Sequence, residues 1–195
     1  LACVYKLVAT TQPGCIPDKT TANPSGGEGA IVILIDYHHP DIVSDLKKFS
    51  TQFGLPPAQL TVVYNRKKPL PLAPWDWALE AAMDTQWAHA MAPSAKLFLV
   101  EMDPEEPFPP YLASAREILQ KNGGGYISMS FTMGIDYHAS FTNTAGVVYV
   151  AGAGDAPGSN VPAAWPTVIA VGGTMIRRRT ADNWFLDERV WRDTG

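Results

Sequence analysis

Glu80 and Asp84 are the residues whose type and spacing most directly imply chemistry in this chain. Four residues is just over one helical turn, so on a helix the two carboxyls share a face and can interact. No Lys or Arg occurs between Ala73 and Ala92, so neither acid has a basic partner within its own helix. Two acids side by side in apolar surroundings cannot both ionise cheaply, and at least one is expected to keep its proton to unusually high pH. Such a pair suits general acid/base work. The competing reading is a solvated helix face, the usual fate of two acids. It is weakened by Trp77, Trp87, Ala88 and Met91 on the shared face and by Leu79, Ala82, Met83 and Ala90 on the other. A helix apolar most of the way round is expected to be buried, and buried acids are seldom accidental.

Three other groups of residues carry weaker signals. Gly152-Ala153-Gly154-Asp155, directly after an apolar run, looks like a nucleotide-binding glycine loop. That reading needs a helix at once, with its N-terminus towards phosphate. Pro157, Pro162 and Pro166 argue against such a helix. An acid at a strand end, brought close to substrate by small neighbours, is the preferred reading of Asp155. His38 and His39 precede Pro40 and point in different directions, so they read as exposed turn residues rather than shared metal ligands. Ser128 and Ser130 alternate around Met129 and, taken alone, read as core-strand residues.

The elements that must position these residues are set by pattern. Residues 30–36 form a continuous branched run, fitting a strand buried on both faces. Residues 40–53 read as a helix, with Ile42, Leu46, Phe49 and Phe53 at helical spacing and Gly54 as its stop. Residues 60–64 read as a short strand, and 65–71 as a loop carrying Arg66, Lys67 and Lys68. The carboxylate helix is expected over residues 74–92, ended by Pro93. Further strands are expected at 96–101, 126–130, 147–151 and 168–171, with a helix at 111–121. Residues 174–179 and 184–191 can pair as a hairpin across Ala181, Asp182 and Asn183. Strands alternating with helices imply an α/β fold with a doubly wound, mainly parallel sheet. Ligand sites in such sheets lie beyond the carboxyl ends of the strands. Asp36, Glu101, Ser130 and residues 152–155 all sit at such ends.

Composition narrows the class. The 195 residues are 46% hydrophobic and 17% charged, with a formal charge of −4 and no long basic run, so nucleic acid is not an expected partner. No apolar stretch approaches the roughly 20 residues that span a bilayer, so no membrane is expected either. Residues 1–29 are rich in Pro and Gly and read as an irregular entry segment, with residues 30–195 as the domain proper. Two cysteines, Cys3 and Cys15, are too few for a four-ligand zinc site. A disulfide closing a short loop, implying an oxidising compartment, is preferred over two free thiols. No signal peptide is recognisable at the start, so a secreted protein would already be processed.

Taken in order, several stretches resemble the sedolisins, the serine-carboxyl peptidases. Residues 30–36 are similar to the family's first strand, and Ser44, Asp45, Leu46, Phe49 and residues 52–56 to its first helix and exit. Trp77, Glu80, Asp84 and residues 87–93 resemble its catalytic helix. Residues 127–130 resemble the strand lining its substrate cleft, and residues 150–155 the segment bearing its oxyanion-hole aspartate. Residues 162–166 and 171–174 resemble the family's next segments along the chain.

The resemblance implies a subtilisin-like fold and an acid-acting, secreted endopeptidase that takes protein or peptide substrates. Glu80 would be the general base for a serine hydroxyl, Asp84 its hydrogen-bonding partner, and Asp155 the donor to the tetrahedral oxyanion. Asp36 would be linked to the pair, and Ser128, Ser130 and Phe131 would line the substrate cleft. The chain departs from the family pattern in two places. The family's nucleophile lies in a Gly-Thr-Ser motif, and no such tripeptide occurs here; Gly172-Gly173-Thr174 is followed by Met175. Phe131-Thr132 stands where relatives usually carry Trp-Gly. No cofactor is expected within this chain, and the family's calcium site is expected only in a further C-terminal part. That part, or a second copy, is the expected partner for an otherwise open sheet. The alternative is a shortened, inactive homologue acting as a peptide-binding or inhibitory module.

Overall fold

Residues 26–64, 69–178 and 185–192 are described in the computed structural model of the chain. Cys3, Cys15 and most of the entry segment lie outside them, as do Arg66, Lys67, Lys68 and the turn at 181–183. The branched run at the start of the domain is β1 (Ala30–Asp36), and Val32, Ile33, Leu34 and Ile35 are almost fully buried. Alternation sends Val32 and Leu34 into one core cluster and Ile33 and Ile35 into another, so β1 is the buried axis of the molecule.

Around it, β2 (Gln59–Val63), β3 (Lys96–Met102), β4 (Gly125–Met129), β5 (Val147–Gly152) and β6 (Val168–Val171) complete a six-stranded sheet in the order β2-β3-β1-β4-β5-β6. Every pairing in it is parallel. A separate antiparallel hairpin, β7 (Thr174–Arg178) with β8 (Phe185–Val190), comes next. Gly125 starts β4 under tight constraint: at φ 151°, a Cβ there would collide with the Ala30 carbonyl oxygen.

Helices α1 (Ile42–Gln52) and α2 (Trp75–Met91) cover one face, packing on each other and, through Ile42 and Ala81, on Ile33, Ile35 and Leu99. Helix α3 (Pro109–Lys121) covers the other, where Leu112, Ala115 and Leu119 join Val32, Val100, Ile127 and Met129. His89, with no exposed surface, donates from Nε2 to the Pro56 carbonyl at 2.8 Å and ties the end of α2 to the exit of α1.

Helix α2 differs from the sequence expectation in one respect. Trp75, Leu79, Met83 and Trp87 recur every four residues and are exposed. Its apolar surface runs most of the way round, but α1 and the sheet take up only part of it. The same side of the sheet is open over β4 and β6, where Tyr126, Ile169 and Val171 are exposed. Among the described residues nothing packs over this half of the face.

Candidate active site

The strand order reverses about β1, which pairs with β3 on one side and β4 on the other. Carboxyl ends of strands at such a switch point form a natural crevice. Asp36 ends β1, Ser130 follows β4, and the turn after β5 carries Asp155. With Glu80 and Met83 of α2 they line a cleft of about 830 Å³, which also takes in Trp77, Phe131, Asn160 and Trp191. Among the described residues that line it there is no Lys, Arg or His.

Each acid is held by local structure. After Asp36 the chain turns sharply at Tyr37, which adopts φ 69°, a costly value for a non-glycine residue. Its N–H donates to the Met102 carbonyl at 2.9 Å and its ring lies 5.8 Å from that of Trp77. The Asp155 turn is braced by Asn160, whose Nδ2 donates to the Ala153 carbonyl at 2.8 Å. Gly154, at φ 105°, leaves room for that brace, because a Cβ would collide with Asn160 Nδ2. Asp155 itself is exposed to the cleft.

Glu80 and Asp84 share a face of α2, as their spacing requires. Ser130 Oγ donates to Asp84 Oδ1 at 2.9 Å. Burial pushes the Asp84 carboxyl up to about 7, and the adjacent Glu80 charge adds to the rise while the Ser130 hydroxyl opposes it. Glu80 is also raised, first by burial and further by the charge of Asp155, against hydrogen bonding from Ser130 and Asp84. Asp36 is raised to about 6 by burial and then by the charge of Asp103. Asp84 Oδ2 is buried and has no hydrogen-bond donor among the described residues. The hydrogen bond between Glu80 and Asp84 requires one proton held between the two carboxyls. The arrangement is therefore a desolvated acid pair that gives up its protons in two coupled steps.

Ser128, one strand repeat deeper, is half-buried opposite Ile33 and Val150 and does not line the cleft. Phe131 does line it, and its ring meets Phe108 edge-on at 6.0 Å. His38 is not the exposed turn residue expected from sequence: its Nδ1 donates to Glu101 Oε2 at 2.6 Å, and Glu101 has no exposed surface. Glu101 also accepts from the His39 N–H at 3.0 Å. Asn160 and Trp191 had no signal in the sequence, because each reaches the cleft from a loop. No group of three or more His, Cys, Asp or Glu side chains among the described residues is arranged to hold a metal ion. No helix among them is long and apolar enough to cross a membrane.

Neither a protein-family profile nor a curated protein matches the sequence. Among solved structures, the chain is similar to Pseudomonas sedolisin, a serine-carboxyl proteinase complexed with two molecules of pseudo-iodotyrostatin. The TM-score is 0.67 and the identity 19%, over 84% of this chain and 52% of that one. A PatG macrocyclase in complex with peptide matches at a TM-score of 0.49 and 16% identity, over 75% of this chain and 58% of that one. The chain thus spans about half the length of the sedolisin it matches. With its parallel sheet, helices on both faces and cleft at the strand ends, the chain has a sedolisin-like, subtilisin-type α/β fold.

Proposed function

We propose that this chain carries the acid/base half of a serine-carboxyl peptidase that cleaves peptide bonds at acidic pH. The observation that carries the reading is the Glu80–Asp84 pair: two carboxyls with raised proton affinity, of which Glu80 lines a cleft that Asp155 also lines. A carboxylate is a weak base, and desolvation with coupling brings it closer to what proton abstraction from a hydroxyl needs. Glu80 takes the proton of a serine supplied by sequence beyond Gly195 and returns it to the leaving amine. Asp84 orients Glu80 and shares its proton. Asp155, while neutral, donates a hydrogen bond to the oxyanion, so the step is favoured at low pH. Protein or peptide substrates occupy the cleft, and an extracellular, acidic setting suits the reaction.

The experiment is cleavage of a denatured protein substrate by the full-length gene product at about pH 4, within the range where carboxyls titrate. Activity that disappears in Glu80→Ala, with the circular dichroism spectrum unchanged, supports the reading. Retained turnover in that variant, or a gene lacking any downstream serine motif of the Gly-Thr-Ser type, overturns it. The second reading, a homologue that binds peptide without cleaving it, draws on the cleft itself, which Trp77, Phe131 and Trp191 line beside the acids. It predicts saturable peptide binding by the chain with no product.

A further inference from the structure

Asp84 is bonded by a hydroxyl from the neighbouring strand as well as by Glu80 on its own helix. Ser130 Oγ donates to Oδ1 at 2.9 Å. Ser130 is itself well placed to do this. Met129 before it is buried in the core, and Phe131 after it is anchored edge-on against Phe108. The hydroxyl is therefore presented by backbone fixed on both sides. A serine hydroxyl has one hydrogen to give; Asp84 Oδ1 accepts it at 2.9 Å, and the Glu80 carboxyl also lies within reach of the hydroxyl. Oδ2 is buried with no donor among the described residues, and the hydrogen bond between Asp84 and Glu80 requires one proton shared by the two carboxyls.

We propose that Ser130 is a positioning residue for the carboxyl pair. By occupying Oδ1, it fixes the orientation of the Asp84 carboxyl beside Glu80, with which Asp84 shares a hydrogen bond. The proposal deepens the peptidase reading, because it names what holds the base and its partner in register. The titratable groups facing the pair are Asp36 from the end of β1 and Asp155 from the turn after β5, with Glu80 on α2 itself. Asp103 acts in turn on Asp36. All are acids, so no cation among the described cleft residues competes with Ser130 for Asp84.

The test does not need turnover. The side-chain carboxyl carbons of Glu80 and Asp84 are titrated by NMR in the whole chain, in Ser130→Ala and in Ser130→Thr. A hydrogen bond to the ionised form lowers the proton affinity of a carboxyl, so its loss raises it. Ser130→Ala is expected to move the apparent midpoints up by about one pH unit. Ser130→Thr, which keeps the hydroxyl, is expected to restore them. An unchanged midpoint in folded Ser130→Ala overturns the proposal, as does a Thr variant displaced as far as Ala. If Ser130→Ala does not fold, Ser130→Cys, a weaker donor, must show a smaller shift in the same direction, and no shift there overturns the proposal too. A full-length protein without peptidase activity would leave these midpoints unaffected, so the two readings fail separately.

Discussion

Glu101, buried at the end of β3, accepts a 2.6 Å hydrogen bond from His38 Nδ1 and a 3.0 Å bond from the His39 N–H. The same His38 pins the segment leading into α2 through its backbone: its N–H donates to the Pro71 carbonyl, and the Ala73 N–H donates to its own carbonyl, each at 2.9 Å. One residue thus joins a buried carboxylate to the entry of the helix bearing Glu80 and Asp84. His38→Ala keeps the backbone bonds and leaves Glu101 Oε2 without its partner. It is expected to cost about 2–3 kcal/mol, at the low end for a broken buried pair because His38 is partly exposed. Urea unfolding measures this, and a loss below about 0.5 kcal/mol would show the contact to be inconsequential.

The carboxyl pair predicts an unusual dependence of stability on pH. Asp84 holds its proton up to about 7 in the folded chain, against an ordinary value of 3.8, and the raised Glu80 acts in the same direction. Between those limits the folded state binds more protons than the unfolded state, so stability falls as pH rises. Asp36, raised from 3.8 to about 6, adds to the fall over the lower part of that window. Asp84→Asn removes the buried charge and keeps an oxygen for Ser130 to bond. It is expected to stabilise the chain by about 1–2 kcal/mol at pH 8 and by little at pH 4. Thermal melts at the two pH values check the sign, and an equal effect at both would contradict it.

In the full-length protein, Glu80→Gln keeps the shape of the base and removes its proton-accepting oxygen. kcat is expected to fall by at least about 100-fold, with a smaller change in KM. A loss confined to KM would mean that Glu80 binds substrate without taking its proton.

Gly154 is required twice, by its φ of 105° and by the nearness of Asn160. Gly154→Ala forces the turn bearing Asp155 away from Asn160. A stability cost of about 1–2 kcal/mol is expected, as for strain at a positive φ. Proteolysis within the turn should accelerate. A variant as resistant as the parent would show that the turn has another accessible conformation.

The open half of the sheet face predicts association of the isolated chain. Tyr126, Ile169 and Val171 are exposed on the side where α2 presents Trp75, Leu79, Met83 and Trp87. Contiguous apolar surface of this kind drives contact between copies. Ile169→Lys is expected to shift the chain towards monomer in sedimentation velocity, with stability changed by less than about 0.5 kcal/mol. Unaltered association would place the contact elsewhere.

The elements are legible in the sequence wherever a local period carries the information. The branched run over residues 30–36 is β1, and the apolar stretch around Glu80 and Asp84 is α2, starting and ending one residue inside its expected bounds. The parallel direction of β1 to β4 is legible too, since a helix returns the chain between each of them, whereas β5 and β6 are reached without an α-helix. The outer stripe of α2 is not legible. Periodicity shows which residues are apolar, and only packing shows which of them are covered. The role of His38 is hidden for a related reason, because its partner Glu101 lies 63 residues away.

The spacing of Glu80 and Asp84 by itself determined that two acids share one helical face without a cation beside them. That is a property of 3.6 residues per turn and of local composition. Only the tertiary structure decided how deeply the pair is desolvated and that Ser130, 46 residues along the chain, donates a hydrogen bond to Asp84. It also decided that Asp36 and Asp155 look into the same cleft. Burial and long-range hydrogen bonds depend on where the sheet brings the ends of β1, β4 and β5 together. No local pattern encodes that meeting.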